Sequence, residues 1–151
     1  MEARDRFIHA RRLEPEIQAL LLVDSEEPVS TTTKQHLFAR DGWPLPDVPT
    51  EAVHLMVQVM ETWMVADPEA LSAFYGRDFN EKALPAHADL EQVPKSVVAD
   101  ALNGATKHTQ KRAYHKIRLA DVLAWLRPGR VRARCKHCEL MFSTVESLIG
   151  T

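Results

Sequence analysis

The stretch Val53, His54, Leu55, Met56, Val57, Gln58, Val59 limits what this chain can fold into more than any other. A strand with one face in water alternates apolar and polar residues. This one is nearly all apolar, the pattern of a strand covered on both faces. Helices packed against a small, mostly parallel sheet supply that cover, so the expected fold class is α/β. The 151 residues suffice for one domain with a proper core. A second apolar run, from about Ala19 to Val23, reads as another strand. It stops at Asp24, Ser25, Glu26, Glu27 and Pro28.

Helical patterns surround these runs. Phe7, Ile8, Leu13 and Ile17 are loosely spaced, with Pro15 interrupting, so residues 2–19 predict a short helix or a tail packed on the sheet. Residues 34–40 predict a helix with Leu37 and Phe38 inward. The loop after it, rich in turn residues, is anchored by Trp43. Asp67 and Pro68 read as an N-cap followed by proline at the first helical position, and Gly76 closes that helix. Residues 78–94 read as irregular. Residues 95–102 predict a helix with Val97, Val98, Ala101 and Leu102 on one face, stopped by Asn103 and Gly104. Residues 119–126 predict another, with Val122, Leu123 and Leu126 inward, Trp125 in the core, and Pro128 and Gly129 ending it. A last helix over 136–148 carries the stripe Leu140, Met141, Val145, Leu148. The carboxyl-terminal part is therefore expected to be helical.

In open α/β sheets, ligands bind beyond the carboxyl ends of the strands. Asp24 and Glu26 stand there, two residues apart, and in an extended segment both side chains point the same way. Oxygen-only ligands suit a hard cation. Asp24 and Glu26 are therefore the candidate metal ligands, with Mg²⁺, or Mn²⁺ in its place, as the expected cofactor. Glu61 follows the second strand and, unlike Asp67, has no capping role to explain it. It is the candidate catalytic carboxylate.

There is no glycine-rich phosphate loop, no GxSxG elbow and no HExxH pair. Cys135 and Cys138 form a single CxxC enclosing His137. A structural zinc site needs four ligands, and a redox motif wants a preceding strand; free thiols at a helix start are the competing reading. The net charge of −2 hides a basic tract, for between Lys107 and Lys136 ten basic residues stand against one acid, Asp121. Such asymmetry points to an anionic partner, DNA or RNA first, or to a solvated basic face. Arg112, Lys116, Arg118, Arg130, Arg132 and Arg134 are the candidate nucleic-acid-binding residues, with Tyr114 among them at the surface. No apolar run approaches the roughly 20 residues of a membrane span, and the first residues lack the pattern of a secretory leader. A cytoplasmic location without a membrane partner is expected.

Leu21 to Glu26, Arg40 to Trp43, His54 to Trp63 with Ala66 and Asp67, Phe79 with Leu84 and Pro85, Val93 to Lys95, Tyr114 to Lys116, Leu119 to Leu126 and Val131 to Phe142 follow in sequence. That order resembles the bacterial domain-of-unknown-function 4276 family, from about Leu20 to the end of the chain. The resemblance implies a Toprim-like domain, the metal-binding fold of primases, topoisomerases and overcoming-lysogenization-type nucleases. There an acidic pair after a strand binds Mg²⁺, and Asp24 and Glu26 match it. The resemblance also implies an ATPase partner and a setting in phage defence. Two departures stand out. The family pattern opens with an extra apolar strand leading into Glu-Gly, whose glutamate serves as general acid/base, and nothing before Ala19 matches it. A single Toprim-like domain over residues 1–151, short at its N-terminus, is expected, with an exposed sheet edge that favours a homo-oligomer. A Lys-Gly is also expected where Lys116 and Ile117 stand. The functional expectation is a metal-dependent, nuclease-like domain acting on nucleic-acid phosphodiesters. The alternative is a catalytically degenerate binding or regulatory subunit of an ATPase.

Overall fold

The computed structural model describes residues 2–150. Two strands, β1 (Leu21–Asp24) and β2 (Val53–Met56), pair in parallel, Leu21 opposite Val53 through to Asp24 opposite Met56. Parallel strands need a long crossover, and here it contains α2 (Thr33–Asp41). The architecture is α/β, with α1 (Ala3–Leu13) before the sheet and six helices after it: α3 (Met60–Val65), α4 (Pro68–Tyr75), α5 (Lys95–Thr106), α6 (Leu119–Leu123), α7 (Pro128–Arg134) and α8 (Lys136–Ile149).

All four residues of β2 are buried, as its composition requires. The strand ends three residues earlier than the apolar run does. The chain then passes through a cis Val57–Gln58 peptide bond into α3. α1 rests on β1 through Phe7, the one residue of this helix that is buried. α2 starts on a capping box, with the Thr32 side chain and backbone exchanging hydrogen bonds with Gln35. It ends at Gly42, whose φ of +66° is the left-handed conformation glycine tolerates best. Leu37 is buried, but Phe38 is 61% exposed, a correction to the inward pair expected there. His36 takes the second inward place because its ring bonds the Ser25 carbonyl. Three successive residues on a helix sweep about 200°, so only two of them can face in.

Further differences sharpen the carboxyl-terminal half. α5 runs through Asn103 and Gly104 to Thr106 instead of stopping there. A Cβ on Gly104 would lie 3.4 Å from that of Ala83, so the glycine allows close packing mid-helix. On its amino-terminal turn Val98 is buried and Val97 exposed. Because α6 ends at Leu123, Trp125 leaves the stripe a longer helix would have kept; it is 51% exposed and meets Phe74 edge-on. Pro128 opens α7 at its first turn, the position proline favours. α8 buries Cys138, while Leu140 and Leu148 of the expected stripe stay exposed. The stretch over 78–94, irregular apart from two 3-10 turns, gives Leu84, Leu90 and Val93 to the core.

The apolar interior falls into two clusters. One surrounds the sheet, with Phe7, Leu37, Leu45 and Leu55; Trp43 packs on its margin as the loop anchor. The other joins α3, α4, α5 and the last three helices. Leu55 is fully buried, so Leu55→Ala costs about 2–5 kcal/mol. Among the described residues no helix is long and apolar enough to cross a membrane.

Candidate active site

The carboxyl end of β1 meets the second cluster at the seam between the two. Backbone N–H groups of Ser25 and Glu26 donate to the carbonyls of Met56 (3.0 Å) and Gln58 (2.7 Å), so the chain beyond β1 stays tied to the chain beyond β2. The buried Ser25 hydroxyl donates to the Glu27 carbonyl at 2.7 Å. The His36 ring holds the Ser25 carbonyl at 2.8 Å, and Arg40 donates to that of Asp24 at 2.6 Å. Within this clamp Glu26 adopts φ +61°, a conformation that costs a non-glycine residue energy and collects at functional sites. The extended geometry expected to align Asp24 with Glu26 is therefore absent; a left-handed turn places Glu26 instead.

Glu26 lines a cleft of about 460 Å³ together with Val59, Glu61, Lys95, Tyr114 and Lys116. Gln58, the polar exception in the β2 run, accepts at its side-chain oxygen from the Lys95 backbone N–H at 3.2 Å, fixing the start of α5 here. The Lys95 ammonium pairs with Glu26 at 2.8 Å. Glu61 is buried at the start of α3 and accepts from the Tyr114 hydroxyl at 3.0 Å. Burial first, then the Glu61 charge and this hydrogen bond, raise the Tyr114 phenol above its ordinary value, so it remains a donor. Tyr114 is half-buried rather than at the surface.

Asp24, half-buried, feels the charges of Glu26, Glu61 and Lys116 from this lining. Burial raises its carboxyl to about 6; a hydrogen bond from the Met60 backbone works against that, the charges of Glu26 and Glu61 add to it, and Lys116 opposes it. One oxygen, Oδ1, is buried without a hydrogen-bond partner. A buried anion with an open lone pair and two carboxylates near it is relieved by a cation. The donor set fits Mg²⁺, which takes one or two carboxylates and fills the rest of its shell with water and substrate phosphate. Among the described residues no three His, Cys, Asp or Glu side chains group into a ready metal cage. The structure thus brings Asp24, Glu26, Glu61 and Lys116 to one place.

The other basic residues divide. Arg112 is exposed, and Arg118 is partly so. Arg130 faces Glu69 at 3.5 Å. Arg132 pairs with Glu139 and Glu146, each at 2.6 Å, and lies over the Phe142 ring. Arg134 aims all three guanidinium nitrogens at the carbonyls of Val65, Ala66, Pro85 and His87. Arg132 and Arg134, expected as phosphate contacts, have their donors on partners within the chain. Asp67 caps α4 through the Ala70 N–H and binds Arg127. Cys135 and Cys138 are free thiols, and burial raises both to about 12, which keeps them protonated and poor nucleophiles.

Gln58, Lys95 and Tyr114 were not singled out by motif. Gln58 alone carried a signal, as an amide in an apolar run. Lys95 reaches the cleft from the start of α5, and Tyr114, expected at the surface within the basic tract, from the irregular segment between α5 and α6.

Residues 2–146 match the family described as Domain of unknown function (DUF4276), so the match takes in α1 as well as the stretch from Leu20 onward. No curated protein and no solved structure matches the chain.

Proposed function

Because the chain belongs to the family described as Domain of unknown function (DUF4276), a description that names no activity, we propose a function from the site itself. The domain processes nucleic-acid phosphodiesters in a divalent-cation-dependent, nuclease-like way. The observation that carries this reading is the buried, unpartnered Oδ1 of Asp24 at a strand end, with Glu26, Glu61 and Lys116 close enough to act on it. Asp24 and Glu26 would hold Mg²⁺ or Mn²⁺. When bound, that ion polarises the phosphoryl group and makes water a better nucleophile. Lys116 and Lys95 bind phosphate oxygens by charge-assisted hydrogen bonds. Glu61, oriented by the Tyr114 hydroxyl, takes up the proton.

The test is cleavage of labelled DNA and RNA with Mg²⁺ or Mn²⁺, for the native protein and for Asp24→Ala. The substitution is expected to cut the rate roughly a hundredfold or more, the scale of losing one preorganised electrostatic group. Cleavage that survives it, or that proceeds in EDTA, ends the reading.

One observation favours a second reading, a catalytically degenerate subunit that docks on an ATPase in a bacterial defence setting. The Lys95 ammonium already sits on Glu26, where it supplies positive charge in place of a cation. Calorimetric titration with Mg²⁺ separates the two: heat of binding lost in Asp24→Asn supports the enzyme, and no heat in the native protein supports the subunit.

A further inference from the structure

We propose that the cleft takes a single unpaired nucleotide, so that the substrate is single-stranded nucleic acid rather than duplex; this rests on the phosphodiester reading above. The lining is divided. Glu26, Glu61, Lys95 and Lys116 bring charge to it; Val59, Ala99 and Asn103 do not, nor does the Tyr114 ring, whose hydroxyl reaches Glu61. Lys95, Ala99 and Asn103 are four residues apart along α5, so one helical stripe of the lining passes from a charged residue to two uncharged ones. Ala99 adds only a methyl group to the lining. The Asn103 amide makes no side-chain hydrogen bond among the described residues.

A nucleotide has the same division. Its phosphate is anionic, its base has flat apolar faces, and the base edge carries donors and acceptors. Lys95 and Lys116 suit the phosphate. Val59, Ala99 and the Tyr114 ring suit the faces of the base, since stacking on aromatic and apolar side chains accepts any base. A free amide at Asn103 can pair with the edge, as asparagine does with adenine. A cleft of about 460 Å³ is of ligand-pocket size, and a base still paired and stacked in a duplex cannot enter it without first being flipped out.

The cationic surface points the same way. A duplex-binding face needs many phosphate contacts spread along it. Arg132 and Arg134 are spent on Glu139, Glu146 and backbone carbonyls, and Arg127 and Arg130 face Glu69. Lys116 lines the cleft and has no described acidic partner; Arg112 and Arg118, within seven residues of it and of each other in sequence, have none either, enough for a short strand.

Fluorescence anisotropy with the whole chain tests this, using labelled single strands of about twelve nucleotides and a duplex of the same length, in EDTA so that binding is read apart from cleavage. The single strand is expected to bind about tenfold more tightly than the duplex, a difference of about 1.4 kcal/mol. Ala99→Trp crowds the cleft from an exposed helix position and is expected to weaken single-strand binding about tenfold while leaving the duplex unaffected. Asn103→Ala, a milder change, is expected to reduce the preference among oligo-dA, oligo-dC and oligo-dT. Equal or tighter duplex binding, or an Ala99→Trp protein that binds the single strand as before, overturns the inference and leaves the phosphodiester reading standing. Binding of neither probe also overturns the inference, and the phosphodiester reading stands or falls by the cleavage test with Mg²⁺ or Mn²⁺.

Discussion

Asp24 ends β1 and Asp67 precedes α4. Both are carboxylates that close an apolar run, and both are withdrawn from water. Around Asp67 the chain has gathered donors: the Ala70 N–H on one oxygen, and the Arg127 N–H and guanidinium on both. Burial pushes this carboxyl up, but those hydrogen bonds outweigh it and hold Asp67 below its ordinary value. Around Asp24 the neighbours are two more carboxylates, Oδ1 has no partner, and the carboxyl rises to about 6. The lesson is one of supply. A carboxylate given partners on both oxygens holds the fold together, and one partnered only in part, as Asp24 is by the Met60 N–H, is a liability in the free protein that a bound cation would relieve.

This contrast can be broken by experiment. Asp67→Ala removes a helix cap and leaves Arg127 unmatched, and should lower unfolding free energy in urea by roughly 2–3 kcal/mol at neutral pH. Asp67 stabilises the fold above its ordinary value of 3.8, and that contribution is lost as pH falls through its lower native value. The mutant should therefore show less acid sensitivity than the native protein.

Asp24→Asn should act in the opposite direction. Below about pH 4 the native carboxyl is protonated whether the chain is folded or not, and the substitution should be neutral. Between about pH 4 and 6 the unfolded state gives up its proton while the folded state keeps it, so native stability falls, and above about pH 6 the loss is complete. In EDTA above pH 6 the mutant should be more stable by about 1–2 kcal/mol, a figure discounted for partial exposure. If Asp24→Asn proves less stable at pH 7, Asp24 has partners the geometry does not give it, and the contrast with Asp67 fails.

Smaller effects separate the two uses of basic residues. Arg134→Lys keeps the charge but loses the planar donors that bind four carbonyls, and should cost about 1 kcal/mol in the same urea titration. Lys116→Ala should change stability by no more than about 0.5 kcal/mol. It should instead weaken nucleic-acid binding and reduce the salt slope of log affinity by about 1. A large stability loss from Lys116→Ala would place it with Arg134, as part of the scaffold.

Much of the fold was legible because it rests on local or periodic signals. The apolar β2 run, the cap at Asp67 with Pro68, and the helical stripes each act over a few residues. Boundaries were less legible. α5 passes through Gly104 because Ala83 packs against it, and Trp125 is exposed because α6 stops at Leu123; neither cause lies in the neighbouring sequence. Within the site, Asp24, Glu26 and Glu61 could be singled out by their place after apolar runs. The amide, ammonium and phenol that organise them could not, since Gln58, Lys95 and Tyr114 join the site only across long sequence separations.

By itself, then, the sequence determined the class of fold and the set of carboxylates. Hydrophobic patterning decides which faces are buried, and acids that follow a buried strand must emerge at its end. Tertiary structure alone decided what each charged group is for. The energy of a carboxylate or guanidinium depends on which donors and acceptors lie within a few ångströms, and those come from remote parts of the chain. Folding spent Arg132 and Arg134 on the scaffold, satisfied Asp67, and left Asp24 with an oxygen to spare.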